Sequence, residues 1–137
     1  MFNDLFKIFE KEYETQKDEF ISISDKNSYW EKLKNKAEFG IHVSQGASAG
    51  FVAFYCNNEM TRESFITLIL VSPESRGKKI GSALIDYVLN ISKLRGFSRC
   101  SLEVNKANKS AISLYESKGF SIFSEKDQSY IMKTVIS

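Results

Sequence analysis

The chain is poor in the residues that several common chemistries require. It has one histidine, His42, set among apolar, strand-like neighbours, so a Ser-His-Asp triad has no well-placed base. One histidine cannot build a His-rich zinc site, the two cysteines, Cys56 and Cys100, make no Cys-x-x-Cys spacing, and no metal is expected. Two cysteines make no disulfide framework; they read as small buried apolar residues of a cytoplasmic chain. A single proline and seven glycines exclude collagen-like and linker-like character. No apolar run approaches the ~20 residues that cross a bilayer. The start, Met1-Phe2-Asn3-Asp4, lacks the basic-then-apolar order of a secretory signal. A formal net charge of +2 gives no support to nucleic-acid binding.

What is present suffices for one domain, residues 1–137, and hardly for two. The charge is uneven. Residues 1–38 hold seven Lys against nine acids, whereas residues 76–118 hold nine Lys or Arg against three acids. Alone, such a block reads as a solvated helix face and a basic loop; it would also draw in an anionic small molecule.

The periodicity changes along the chain. Phe2, Leu5, Phe6 and Phe9 form a helical stripe within residues 2–19. Phe20–Ser24 alternates and reads as a strand or a connector, and Asp25 is placed to cap a second helix carrying Tyr29, Trp30, Leu33 and Ala37. Ile41–Ser44 and Gly50–Cys56 read as a hairpin around Gln45-Gly46-Ala47-Ser48. Phe65–Val71 is nearly unbroken apolar and β-branched, as in a central strand buried on both faces. From Lys79 to Arg95, Ile80, Ala83, Leu84, Tyr87, Val88, Ile91 and Leu94 form one helical face, with Gly96 placed to end it. Cys100–Val104 is a further strand, with Leu102 and Val104 on one face and Ser101 and Glu103 on the other. A helix over Asn108–Lys118, closed by Gly119, precedes a hairpin of Phe120–Phe123 and Tyr130–Met132 around Glu125–Gln128. This order predicts an α+β (mixed α/β) fold with a single sheet.

Chemistry concentrates in Val71–Leu84, V-S-P-E-S-R-G-K-K-I-G-S-A-L. A buried strand ends, a glycine-containing loop follows, and a helix begins. First-turn N–H groups lack internal partners, and with the helix dipole they form an anion site. Gly77 and Gly81 allow close approach of backbone, and Arg76, Lys78 and Lys79 put cations where the dipole is already positive, an arrangement that an anion offsets. Walker A and dinucleotide-binding spacings are absent. The competing reading is a helix-capping loop whose glycines serve only turning.

The same segment resembles the acetyl-CoA signature of the GCN5-related N-acetyltransferases (GNAT), Arg/Gln-x-x-Gly-x-Gly/Ala after a strand ending Val-x-Pro. The match continues through L-E-V-N-K-A-N-K-S-A-I-S-L-Y-E-S-K-G-F, residues 102–120, and departs at Lys79, where the family usually has Gly. The resemblance implies a GNAT-type central mixed sheet flanked by helices, and acetyl-CoA as co-substrate. It implies that Arg76, Gly77, Lys78, Lys79, Ile80, Gly81 and Ser82 receive the pyrophosphate and that Ile69, Leu70 and Val71 pair with the pantetheine arm. The implied reaction is direct attack of an amine on the thioester, without an acyl-enzyme. Asn108 and Tyr115 lie seven residues apart on one helix face. By resemblance Asn108 contacts CoA and Tyr115 protonates the leaving thiolate, which a phenol can do at neutral pH. Asn108 also reads as a helix N-cap and Tyr115 as a core aromatic. The L-E-V…N…L-Y spacing resembles the branch containing the ribosomal-protein alanine acetyltransferases, where the Glu is the base; that implies Glu103. The alternative for Glu103 is a surface pair with Lys106 or Lys109.

The resulting expectation is an acetyl-CoA-dependent N-acetyltransferase. The acceptor is a small-molecule or peptide amine, met by the first two helices and the last hairpin. Neither nucleic acid nor membrane is expected as a partner, and a homodimer is left open. The alternatives are a non-catalytic acyl-CoA-binding module, a transferase with another acyl donor or a sugar acceptor, and a nucleotide-phosphate binder.

Overall fold

Each change of hydrophobic period is a change of element. In the computed structural model, which describes residues 2–15 and 25–136, helices α1 (Phe2–Thr15) and α2 (Lys26–Lys36) precede strands β1 (Glu38–Ser44), β2 (Ala47–Tyr55) and β3 (Glu63–Val71). A 3-10 turn at Pro73–Ser75 leads to α3 (Ile80–Leu94) and then β4 (Arg99–Asn105). Helix α4 (Lys109–Ser117) and the hairpin β5 (Ser121–Glu125) and β6 (Ser129–Val135) follow. The strands form one six-stranded mixed sheet in the order β1-β2-β3-β4-β6-β5, parallel only between β3 and β4. The end of the expected first helix and the Phe20–Ser24 segment lie outside the described residues.

The sheet separates two cores. On one face Leu5, Phe9, Trp30 and Leu33 from α1 and α2 cover Phe51, Ala53 and Leu68. Phe9 is fully buried between the rings of Trp30 and Tyr29, with centroids 5.3 and 5.8 Å away. On the other face Ile80, Leu84, Ile85 and Val88 of α3, with Tyr115 of α4, pack on Val52, Phe54, Ile66, Cys100, Leu102 and Val104. Burying each such side chain is worth about 1.5–3 kcal/mol. Both cysteines are buried and free, and desolvation raises the Cys100 thiol to about 11.

The expected elements need three adjustments. The first hairpin turns on two residues, Gln45 and Gly46, both at positive φ (53° and 80°), which matches strand twist and leaves Ala47 and Ser48 in β2. On α3, Leu94 is solvent-exposed, while Ile85 and Ser92, both outside the expected stripe, are fully buried. Strand β3 is central, but Phe65, Thr67, Ile69, Leu70 and Val71 are only half-buried. The cause is its pairing. Against β2 the register jumps from Phe54↔Ile66 to Ala53↔Leu68, so Thr67 is an extra, bulged residue. Against β4 the ladder stops at Ile66↔Leu102, and the strands separate beyond it.

Candidate active site

The separation of β3 from β4 opens a cavity of about 910 Å³. Thr67–Val71 line one wall and Leu102–Asn105 the other, so the β3 edge beyond Ile66 faces the cavity without a strand partner on that side. The basic loop and the start of α3 close one end, and Asn108, Ala111, Leu114 and Tyr115 of the α4 segment line it further. Of the sequence-predicted site residues, Ile69, Leu70, Val71, Arg76, Gly77, Lys79, Ile80, Gly81, Ser82, Glu103, Asn108 and Tyr115 all line this cavity; Lys78 does not.

The loop has a built shape. Ser72 N–H donates to Ala49 O at 2.8 Å and its hydroxyl to Ser75 Oγ at 3.0 Å, fixing the exit of β3. Gly77 lies at φ +83° and Lys79 at φ +61°. The left-handed region costs a non-glycine residue roughly 1–2 kcal/mol. The chain departs from the family's usual glycine at Lys79 while keeping a glycine-like backbone there. Lys79 supplies no side-chain cap to α3, so the first-turn N–H groups of Ile80, Gly81 and Ser82, which line the cavity, have no side-chain acceptor from the N-cap residue. A Cβ on Gly81 would stand 3.1 Å from Leu114 Cδ2, so glycine here lets α3 and α4 approach. Arg76 is ion-paired with Glu12 of α1, whose side chain is 8% exposed, so one of the three expected loop cations is already balanced within the chain.

Helix α4 starts differently. Asn108 Oδ1 accepts from Ala111 N–H at 3.1 Å and from Ser110 Oγ at 3.3 Å, so Asn108 is an N-cap as well as a cavity residue. Tyr115 is 6% exposed, 6.0 Å from the Phe120 ring, and both a core aromatic and a cavity residue.

Glu103 projects from the β4 face opposite Val104. Ser129 Oγ, on β6, donates to its Oε2 at 2.5 Å, and Lys126 Nζ lies 3.6 Å from Oε1. The expected partners Lys106 and Lys109 are not its ion pair: Lys106 bonds Glu125 across the last hairpin, because the turn brings Lys126 rather than Lys106 to the Glu103 face. Several lining residues carry no sequence signal as site residues, polar side chains among them. Glu12 and Tyr29 come from the first two helices, Thr67 from the bulge and Ser129 from β6. Tyr29 hydroxyl meets Thr67 Oγ1 at 3.0 Å and Thr67 O at 3.3 Å, tying α2 to the bulge. Burial raises the Tyr29 phenol above its ordinary value. Among the described residues no cluster of His, Cys, Asp and Glu could hold a metal ion.

The comparisons agree with this geometry. The sequence pattern of the acetyltransferase (GNAT) family matches residues 2–120. An uncharacterised N-acetyltransferase of Methanocaldococcus jannaschii is 39% identical over 98 residues, 67% of this chain and 43% of that protein, so the chain spans less than half of that relative's length. The Escherichia coli ribosomal protein bS18-alanine N-acetyltransferase is 29% identical over 86 residues, 63% of this chain and 58% of that enzyme. Its crystal structure superposes with a TM-score of 0.71 over 91% of this chain and 85% of that one, at 22% identity. The PaiA N-acetyltransferase of Thermoplasma acidophilum, solved in complex with coenzyme A, shares the fold with a TM-score of 0.68 over 79% of this chain and 67% of that chain, at 21% identity. The divided strand pair, the uncapped glycine loop and the match over residues 2–120 lead to one conclusion: the chain belongs to the GNAT family of acetyl-CoA-dependent acetyltransferases.

Proposed function

We propose that this chain moves the acetyl group of acetyl-CoA to a primary amine by direct attack in a ternary complex. The observation that carries the reading is the wedge between β3 and β4, into which both Glu103 and Tyr115 open beside an uncapped helix start. In this reading the pyrophosphate lies on the loop and first-turn N–H groups of residues 76–82, with Lys79 adding charge at the cavity, while Lys78 stands outside the lining and Arg76 is held by Glu12. The amides of the pantetheine arm continue the sheet along Ile69, Leu70 and Val71, whose edge β4 leaves free. A backbone N–H beside the bulge polarises the thioester carbonyl. Glu103, oriented by Ser129, accepts the proton of the acceptor ammonium, directly or through water. Tyr115 gives its proton to the departing thiolate. Two proton-handling groups on one cavity favour turnover over mere binding of an acyl-CoA.

The acceptor enters from the side walled by Glu12, Tyr29 and Ser129, which come from the first two helices and the last hairpin. A protein or peptide amine is supported by the relative named for its action on a ribosomal protein. No described helix is long and apolar enough to cross a membrane, and we place the protein in the cytoplasm.

The test is CoA release from acetyl-CoA across an amine library, with products identified by mass spectrometry. Wild-type protein releases CoA with at least one amine, and acetyl-CoA raises its melting temperature by mass action. Gly81→Asp, which puts bulk against Leu114 and a negative charge at the loop, removes that thermal shift. Glu103→Gln keeps the shift and loses turnover. Absence of both CoA binding and CoA release in the wild type overturns the reading.

A further inference from the structure

A primary amine of the chain stands beside the candidate base, next to the cavity lining though not part of it. Lys126 opens the turn between β5 and β6, held there by its backbone N–H donating to Ser129 O at 2.8 Å. Its Nζ stands 3.6 Å from Glu103 Oε1. The other carboxylate oxygen, Oε2, is occupied by the Ser129 hydroxyl at 2.5 Å. The oxygen left to take a proton is therefore the one that faces a lysine ammonium. Two neighbouring lysines are committed elsewhere. Lys106 bonds Glu125 and lies 5.4 Å from the Tyr130 ring centroid, while Lys133 bonds Glu63 at 3.3 Å and lies 3.9 Å from the Phe123 centroid. Lys126 is 61% exposed, and a pair of this kind is worth under about 1 kcal/mol. So weak a pair leaves the side chain able to part from Glu103 and turn toward the cavity.

We infer that Lys126 is an intramolecular acetyl acceptor: with acetyl-CoA bound and no free amine present, the protein acetylates its own Lys126 Nζ once. The inference rests on the function proposed above. Glu103 removes one proton from the ammonium. The Nζ lone pair bonds to the thioester carbonyl carbon, and the C–S bond breaks with its electron pair on sulfur. Tyr115 protonates that sulfur, the nitrogen gives up its second proton to water as the amide forms, and solvent returns the proton from Glu103 to the Tyr115 oxygen. The products are Nζ-acetyl-lysine and CoA. The amide carries no charge, so the attraction that brought Lys126 to Glu103 ends with the reaction, which stops after one turnover. Tethering beside the base makes the step unimolecular. An exposed lysine such as Lys93, in the last turn of α3, has no such neighbour.

The experiment incubates the purified full chain with acetyl-CoA alone and follows intact mass, then maps the site by peptide fragmentation. The expected result is one acetyl group per chain, on Lys126, with a first-order rate constant independent of protein concentration. Lys126→Arg keeps the charge and removes that acetyl group. Glu103→Gln slows its appearance by the ~10²–10⁴-fold of a lost general base while acetyl-CoA still raises the melting temperature. Acetyl groups scattered over several lysines at the same rate in wild type and Glu103→Gln would mean uncatalysed chemistry and overturn the inference. A rate proportional to protein concentration would mean transfer between copies and overturns it too. CoA release with an external amine while Lys126 stays unmodified sinks this inference alone. No release with any amine sinks the proposed function with it.

Discussion

Over Glu63–Ile66, β3 is a full partner of β4; beyond Ile66 the same two strands are the walls of a cavity. The closed half is knitted by buried hydroxyls. Ser92 Oγ of α3 donates to Val88 O at 2.8 Å and lies 2.7 Å from Ser64 Oγ, whose hydroxyl can donate to it, and Ser101 donates to Glu63 at 3.1 Å. Among the described residues no buried side-chain nitrogen or oxygen lacks a partner. The open half carries Thr67, Glu103 and, across from them, Tyr115. One strand pair thus serves stability at one end and chemistry at the other. Substitutions in the two halves should separate cleanly into losses of folding and losses of turnover.

The strongest way to break that division is Tyr115→Phe, which keeps the ring beside Phe120 and removes the proton. Turnover should fall by about 10²–10⁴-fold with CoA affinity and melting temperature nearly unchanged, measured by steady-state kinetics and calorimetry. A large drop in stability without loss of turnover would return Tyr115 to the core alone. Ser92→Ala is the counterpart in the closed half. It strips hydrogen bonds from a fully buried site and should cost about 1–3 kcal/mol in urea unfolding, with kcat/KM for acetyl-CoA near wild type.

Smaller effects sharpen the comparison. Lys79→Gly relieves the left-handed backbone at the loop, less the extra chain entropy of glycine, a net gain of about 0.5–1 kcal/mol. It also removes a cation, so CoA binding should become less salt-sensitive by isothermal titration. The smallest effect belongs to the far end of the closed half, where Arg95 grips Glu38 at 2.5 and 2.7 Å. That hydrogen bonding holds the Glu38 carboxyl below its ordinary value. A carboxyl lowered by folding contributes stability above its unfolded pKa and loses it as pH falls through the folded one. The melting-temperature gap between wild type and Glu38→Gln should therefore be small at neutral pH and close at acid pH. Both side chains are about two-fifths exposed, so solvent keeps the gap small.

Much of the fold was legible because period and punctuation agree. Asp25 caps α2, accepting from Asn27 and Ser28 N–H, and Gly96 and Gly119 follow α3 and α4 at positive φ. The loop and both proton-handling candidates were legible because helix-start physics and the family resemblance pointed to the same residues. Other features were hidden for physical reasons. A bulge such as Thr67 has no composition of its own; it is a mismatch between two strands and exists only once they pair. Ser129 and Lys126 reach Glu103 through strand register and turn geometry, 26 and 23 positions along the chain, and no local spacing announces such contacts. Leu94 looked like core because helical periodicity continues past the point where the sheet beneath it ends.

The bulge at Thr67 also sets how this chain responds to changes in length. A residue added or removed at Gln45–Gly46 or in residues 57–62 alters a surface turn. Removing Thr67 would instead make the β2–β3 ladder continuous, with Phe54↔Ile66 followed directly by Ala53↔Leu68. Ile66 would stay on the α3 face beside Phe54 and Leu68 on the α1–α2 face beside Ala53, while the cavity wall would lose Thr67 and its contact with the Tyr29 hydroxyl. A single-residue deletion there spares the inside and outside of the strand and reshapes the cavity wall, so the extra residue is something the site requires more than the fold does.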